Sequence, residues 1–293
     1  MERDNNTIND SNSDNSCNVS DSLIHLSCLA ISEVDPRNEN IFHFVKYMMC
    51  PNIKLISFTT ITALVNVLIY IITLCCGLER SMLHEEFLPP TDKAVYYGEL
   101  DYMIIKSAPY HIYRFVLSNY FHRDFLHTTT NVAALIIFGA ATEAMVGTVR
   151  ITILYNVSGI LGGLVSLFIQ PDATSVGASG CVCGLVGVYF MYAVINWKHF
   201  DTIFGSGNKC WSFYFLLTLL CIVLIAQLLL SSDLNVVSHI FGIVFGAFLL
   251  PCITKPKYND INASLIPYNI LYYISLTVCI GFTVIGFIIF YYI

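Results

Sequence analysis

Charge is scarce in this chain. Of its 293 residues only 12% are Asp, Glu, Lys or Arg, where a soluble domain carries roughly 25%. Hydrophobic residues make up 56% and the mean hydropathy is +0.68, which excludes a soluble enzyme. With 14 Lys and Arg and a formal charge of −6, the chain lacks the basic stripe that nucleic acid requires, so no nucleic-acid partner is expected. Cysteine is missing between Cys76 and Cys181, so the long connection there has no disulfide framework. Cys181-x-Cys183 sits inside an apolar run rather than in a zinc ribbon, and the cysteines read as small packing residues. Met1 is followed by Glu, Arg, Asp and Asn, with no charged region feeding an apolar core. Neither a signal peptide nor an Arg-rich transit peptide is therefore expected, and the first hydrophobic segment serves as the anchor.

What is present is a series of apolar runs long enough for a bilayer. Hydropathy places seven spans: Leu55 to Cys76, Phe125 to Val146, Ile151 to Ile169, Val176 to Ile195, Trp211 to Leu230, Val236 to Ile253 and Leu271 to Ile293. Runs of this length specify helices, so the fold class is an all-α polytopic membrane protein. Residues 1–53, rich in Asn, Ser and Asp, read as a disordered cytosolic tail. A six-span core follows over 54–254, then a cytosolic connection and the seventh span over 255–293. The connection Gly77 to Asp124 is long, Tyr-rich and partly apolar, and is expected to pack on the bundle or dip into the interface.

Lys and Arg set the orientation. With the N-terminus cytosolic, Arg150, Lys198, Lys209, Lys255 and Lys257 fall in cytosolic connections, and the short outer connections around Pro171 and Ser232 hold none. The C-terminus is then luminal or extracellular.

Polar side chains inside spans are costly and mark function. Spans two, four and six run in the same direction. His122 precedes span two, and His127 and Asn131 lie one turn apart on one face of it. Ser179 stands near the outer end of span four, and His239 near that of span six. Gly180 and Gly184 recur beside Ser179, and Gly242 and Gly246 follow His239 on one helical face. Such small-residue faces let two helices approach closely enough for imidazole to reach hydroxyl. The bland alternative is glycine packing with a serine satisfied by its own i−4 carbonyl. The functional reading is nucleophilic catalysis, with His239 as base for Ser179 and with His127, Asn131 and the Ser179 backbone N–H as oxyanion donors. Gly177 and Gly180 flank a turn that exposes the hydroxyl.

The sequence resembles the rhomboid intramembrane serine proteases over roughly Tyr113 to Ile253. SVGASG, residues 175–180, is similar to the family's GxSG motif, HIFGIVFG, 239–246, to HxxGxxxG, and HRDFLHTTTN, 122–131, to HxxxxHxxxN. Tyr113-Arg114 resembles a first-loop Trp-Arg pair with Trp replaced, and Glu143-xxx-Gly147-xx-Arg150 looks like ExxxGxxR. The resemblance implies a rhomboid-like six-helix core plus a C-terminal helix, as in secretase-type members. It implies Ser179 as nucleophile, His239 as general base without a third acidic member, and His127 and Asn131 supporting the oxyanion. His122, Gly177, Arg114, Glu143, Gly242 and Gly246 take supporting or structural roles. The implied activity is serine endopeptidase cleavage of single-span transmembrane substrates near the outer face, in the secretory pathway or at the cell surface, with no cofactor and no metal. Cys183, four residues after the nucleophile, stands where many members carry an aromatic, which leaves more room beside His239.

Other chemistries fit less well. His84-Glu85-Glu86 lacks the second His of HExxH, since Leu88 occupies that place. An aspartyl protease needs two intramembrane Asp, and Glu143 is the only acidic residue within the spans. A straight helix sets Glu143 about 160° from His127, which suits a structural role. No matched pair of broken spans suggests a transporter. The remaining alternative is a catalytically inactive rhomboid-like protein that binds membrane clients for trafficking or degradation.

Overall fold

Hydrocarbon offers no partner to a peptide N–H or C=O, so a chain this apolar closes its backbone bonds within helices. The computed structural model describes residues 56–76, 88–90, 95–197, 235–255, 264 and 266–292, and among them there are helices and one isolated bridge but no strand. The tail expected over 1–53, the span expected at Trp211 to Leu230 and His84-Glu85-Glu86 lie outside the described residues.

Helix α1 is Phe58–Cys75. The first connection holds α2 (Tyr102–Ser107), a 3-10 turn (Pro109–Tyr113) and α3 (Arg114–Leu117). Then come α4 (Phe125–Val146), α5 (Thr148–Ile169), α6 (Ser179–Ile195), α7 (Val236–Ile253) and α8 (Tyr268–Tyr292). Five of these, α1, α4, α5, α7 and α8, are long and apolar enough to cross a membrane, while α6 has 17 residues. This is a polytopic all-α membrane fold.

Helix α6 is central. Only Phe190, Met191 and Val194 along it are not fully buried, and it packs chiefly on α7 and α5. A helix walled in by others need not match the bilayer thickness itself, so a short one suffices.

Helix boundaries follow capping rather than hydropathy. Span three begins at Thr148, ahead of the expected Ile151, because Gly147 at φ 84° breaks the chain there and Arg150 is tolerated on an exposed end. Span four begins at Ser179, after the expected Val176, because Gly177 at φ 128° holds the preceding segment out of helix. Span seven begins at Tyr268, whose hydroxyl donates to the carbonyls of Pro251 and Thr254 at the end of α7.

Helix α4 departs from a straight helix. Residues Leu135–Gly139 form a π turn, and the extra residue swings the C-terminal half of α4 by about 100° relative to its N-terminal half. The about 160° expected between His127 and Glu143 for an unbroken α-helix is therefore reduced.

The first connection packs on the bundle. Leu100, Ile105 and Phe115 are buried in one cluster with Leu164 and Leu167 of α5, and Leu100 and Ser175 exchange two backbone hydrogen bonds of 2.8 and 2.9 Å. Through that bridge the loop leans directly on the segment that leads into α6.

Candidate active site

Two helix starts, those of α6 and α7, meet at one end of the bundle. Helix α7 begins at Val236 with Asn235 as its N-cap, the Asn235 side chain accepting from the Ser238 N–H at 3.0 Å. The Asn235 amide also donates to the Ser166 hydroxyl of α5, which pins this end of α7 to its neighbour. His239 follows within the first turn. Helix α6 starts at Ser179 itself, so the serine has no helical carbonyl four residues back to satisfy it. The intrahelical alternative considered for this hydroxyl is therefore not what the structure shows. Its Oγ lies 2.6 Å from His239 Nε2, a full hydrogen bond between two buried side chains.

Glycine makes that distance attainable. A Cβ at Gly242 would run into the Gly180 carbonyl, and one at Gly246 into the Gly184 carbonyl. Any larger residue would push α6 and α7 apart, and the hydroxyl and imidazole with them. On the third side, a Cβ at Gly162 of α5 would stand 2.8 Å from the Ser238 carbonyl. Three backbones thus converge beneath the pair.

The turn before Ser179 is held from the first connection and from the start of α4. The Gly177 N–H donates to the Ser118 carbonyl at 2.8 Å, and the Ala178 N–H approaches His122 Nε2 at 3.4 Å. His122 is fully buried, and burial holds its imidazole well below the ordinary range, with neighbouring His127 adding to the effect. A neutral ring with Nε2 free to accept is what the Ala178 contact requires. Arg123 donates to the Thr174 hydroxyl, a further tie between the two loops.

His127 packs under this turn, its ring 5.3 Å from that of His122. Asp124 caps α4, accepting from the His127 N–H at 2.7 Å. Burial raises the Asp124 carboxyl above its usual range. Asn131 is fully buried, and its Nδ2 donates to the His127 carbonyl at 2.8 Å. Here, then, at least one Asn131 N–H is spent within its own helix. The backbone N–H groups of the first turn of α6, beside the Ser179 side chain, have no intrahelical carbonyl to take them.

His239 Nδ1 is buried with no hydrogen-bond partner among the described residues, so no described carboxylate stands behind the pair as in a triad. Cys183 is buried beside Gly242, its Cβ 3.5 Å from where a Gly242 Cβ would stand. No group of three His, Cys, Asp or Glu side chains among the described residues is placed to hold a metal.

Two ionic residues lie away from this centre. Arg114 is buried and donates to the carbonyls of Tyr96 and Glu99, with its guanidinium over the rings of Tyr96 and Tyr113; it knits the first connection together. Glu143 accepts from the Phe58 and Thr59 N–H groups at 2.9 and 3.0 Å and from the hydroxyls of Thr59 and Thr148 at 2.8 Å each. Its carboxylate therefore ties the start of α1 to the junction of α4 and α5.

Ser118, Asp124, Asn235 and Ser166 were not singled out from sequence. Asp124 and Asn235 carry a readable signal, an N-cap residue directly ahead of an apolar run. Ser118 acts through its carbonyl, for which side-chain identity gives no clue.

Residues 109–256, half of the chain, match the Rhomboid domain family. The chain belongs to the rhomboid family. It is 31% identical over 158 residues to RHOMBOID-like protein 5 of Arabidopsis thaliana, covering 53% of this chain and 48% of that one. It is 30% identical over 139 residues to the putative rhomboid protease YdcA of Bacillus subtilis, covering 46% and 65%. It is 31% identical over 157 residues to inactive rhomboid protein 1 of Drosophila melanogaster, covering 52% and 11%. Each match spans less than two thirds of the relative's own length. Rhomboid relatives of both names, protease and inactive, are thus similar to this chain.

Proposed function

We propose that this rhomboid is an intramembrane serine endopeptidase that cuts transmembrane segments of single-span membrane proteins near the outer or luminal face. The observation that carries the reading is the 2.6 Å contact between Ser179 Oγ and His239 Nε2 at the meeting of two glycine-lined helices. In this reading Ser179 Oγ attacks the scissile carbonyl while His239 Nε2 takes the hydroxyl proton. The negative oxygen that forms is met by the Ser179 backbone N–H, with His127 and Asn131 in support after a reorientation of the Asn131 amide. His239 then returns its proton to the leaving amine, and the acyl-enzyme is hydrolysed when His239 takes a proton from water and Ser179 recovers its own. No cofactor takes part. The N-terminus is cytosolic and the protein resides in the secretory pathway or at the cell surface, as the Lys and Arg distribution supports.

The likeness to an inactive relative favours a second reading, a client-binding protein without turnover. Cleavage of fluorogenic transmembrane peptides with helix-breaking residues separates the two. The protease reading expects cleavage by the wild type and none by Ser179→Ala or His239→Ala. Resistance of all such peptides to the wild type would leave the client-binding reading.

A further inference from the structure

Helix α8 packs on α7 and α5, yet it stands away from α5 along part of its length. Phe282 meets Phe245 of α7 with ring centroids 5.5 Å apart, and a Cβ at Gly286 would stand 2.9 Å from the Leu164 side chain of α5. One residue before Phe282, a Cβ at Gly281 would meet nothing within 4 Å. The space there is a cavity of about 430 Å³ bounded by Leu164 and Phe168 of α5 and by Thr277, Gly281 and Ile285 of α8. It lies in the same half of the membrane as Ser179, since α5 ends at Ile169 on the side where α6 begins.

We propose that this groove between α5 and α8 is a binding site for one acyl chain of a membrane phospholipid. Apart from the Thr277 hydroxyl its named walls are apolar, so water gains no set of polar partners in it. Left empty, it would deprive its lining of dispersion contacts on one side. It is continuous with a face already turned to lipid, on which Ile274, Ile280, Ile285 and Ile288 are each about half exposed. An α-helix with side chains is roughly 10–12 Å across, too thick for a slot between two packed helices. A slender, flexible hydrocarbon chain entering from that face fits.

The seat has a consequence for the site above it. Leu164 belongs to the cluster of Leu100, Ile105 and Phe115 that seats the first connection, and Phe287 of α8 meets Phe115 edge-to-face with ring centroids 5.5 Å apart. A chain in the groove therefore backs the same cluster whose Leu100 is bridged to Ser175, four residues before the nucleophile. The proposal concerns lipid binding and stands whether or not the chain hydrolyses peptides.

The test uses full-length protein carrying Phe168→Trp, in nanodiscs of phosphatidylcholine with or without dibrominated acyl chains, with the parent chain and its native Trp197 and Trp211 as reference. The added tryptophan is expected to be quenched by brominated lipid, and the quenching to be lost with Gly281→Phe, which fills the groove, and retained with Gly281→Ala. Native mass spectrometry of the same proteins in mild detergent should show one retained phospholipid in the wild type and in Gly281→Ala, and none in Gly281→Phe. Quenching unchanged by Gly281→Phe, or no retained phospholipid in the wild type, would overturn the proposal.

Discussion

The His127 ring lies directly beneath Gly177: a Cβ at that glycine would stand 2.6 Å from Cε1 and 2.8 Å from Nε2 of the imidazole. Together with a φ of 128°, this reserves the position for glycine twice over, by backbone conformation and by space. The turn that presents Ser179 and the ring proposed to support the oxyanion are therefore one packed unit.

Gly177→Ala should thus damage presentation of the hydroxyl more than it damages the bundle. The expected result is loss of cleavage by about 10²-fold or more, as for misplacement of a catalytic group by about 1 Å, with only a small fall in thermal midpoint in nanodiscs. Retention of full cleavage would show that the turn tolerates a different shape.

The glycine faces of α6 and α7 make a steeper demand. Gly246→Val places its side chain against the Gly184 carbonyl, and backbone cannot give as a flexible side chain can. Overpacking of this kind costs about 1–3 kcal/mol or more. Both thermal stability and cleavage should fall, and a suppressor that shrinks α7 elsewhere should not restore them.

How much of this was legible beforehand depends on the kind of signal. Ser179, His239 and the glycines could be found because hydropathy fixes depth and helical period fixes face, and both are properties of residue type. The start of α6 was misplaced by three residues because Val176 to Ala178 are as apolar or small as a helix interior, and only the φ of Gly177 shows otherwise. The π turn at Leu135–Gly139 leaves no mark in an Ile- and Phe-rich run. The Asn131 bond to the His127 carbonyl likewise depends on a rotamer, which sequence does not encode. The tie from Glu143 to the start of α1 joins residues 84 and 85 apart, and an expectation of some structural partner could not say which one.

That tie is testable by stability alone. Glu143→Ala removes the carboxylate that caps α1 and should cost about 2 kcal/mol, read as a lower thermal or denaturant midpoint. Glu143→Gln keeps an acceptor oxygen and should lose less. Because the carboxylate is remote from Ser179, the cleavage rate per folded molecule should stay near that of the wild type.

His122 predicts a pH dependence of stability. Its imidazole titrates well below 6.5 in the folded chain because of burial, and near about 6.5 when unfolded. Between those values the unfolded state binds more protons, so stability is greatest above about pH 6.5 and is lost as pH falls below it. His122→Gln should flatten the slope of unfolding free energy over that acidic window, at the cost of a lower plateau at neutral pH. An unchanged slope would contradict the buried, neutral state of this ring.

The most direct measurement of the central claim is labelling of the purified protein in nanodiscs by a fluorophosphonate, with the modified residue located by peptide mapping. A single adduct on Ser179 is predicted, its rate lowered by about 10²–10⁴-fold in His239→Ala, the range for loss of a general base. No adduct on wild-type Ser179, or labelling of Ser179 at an equal rate without His239, would contradict a catalytic pair.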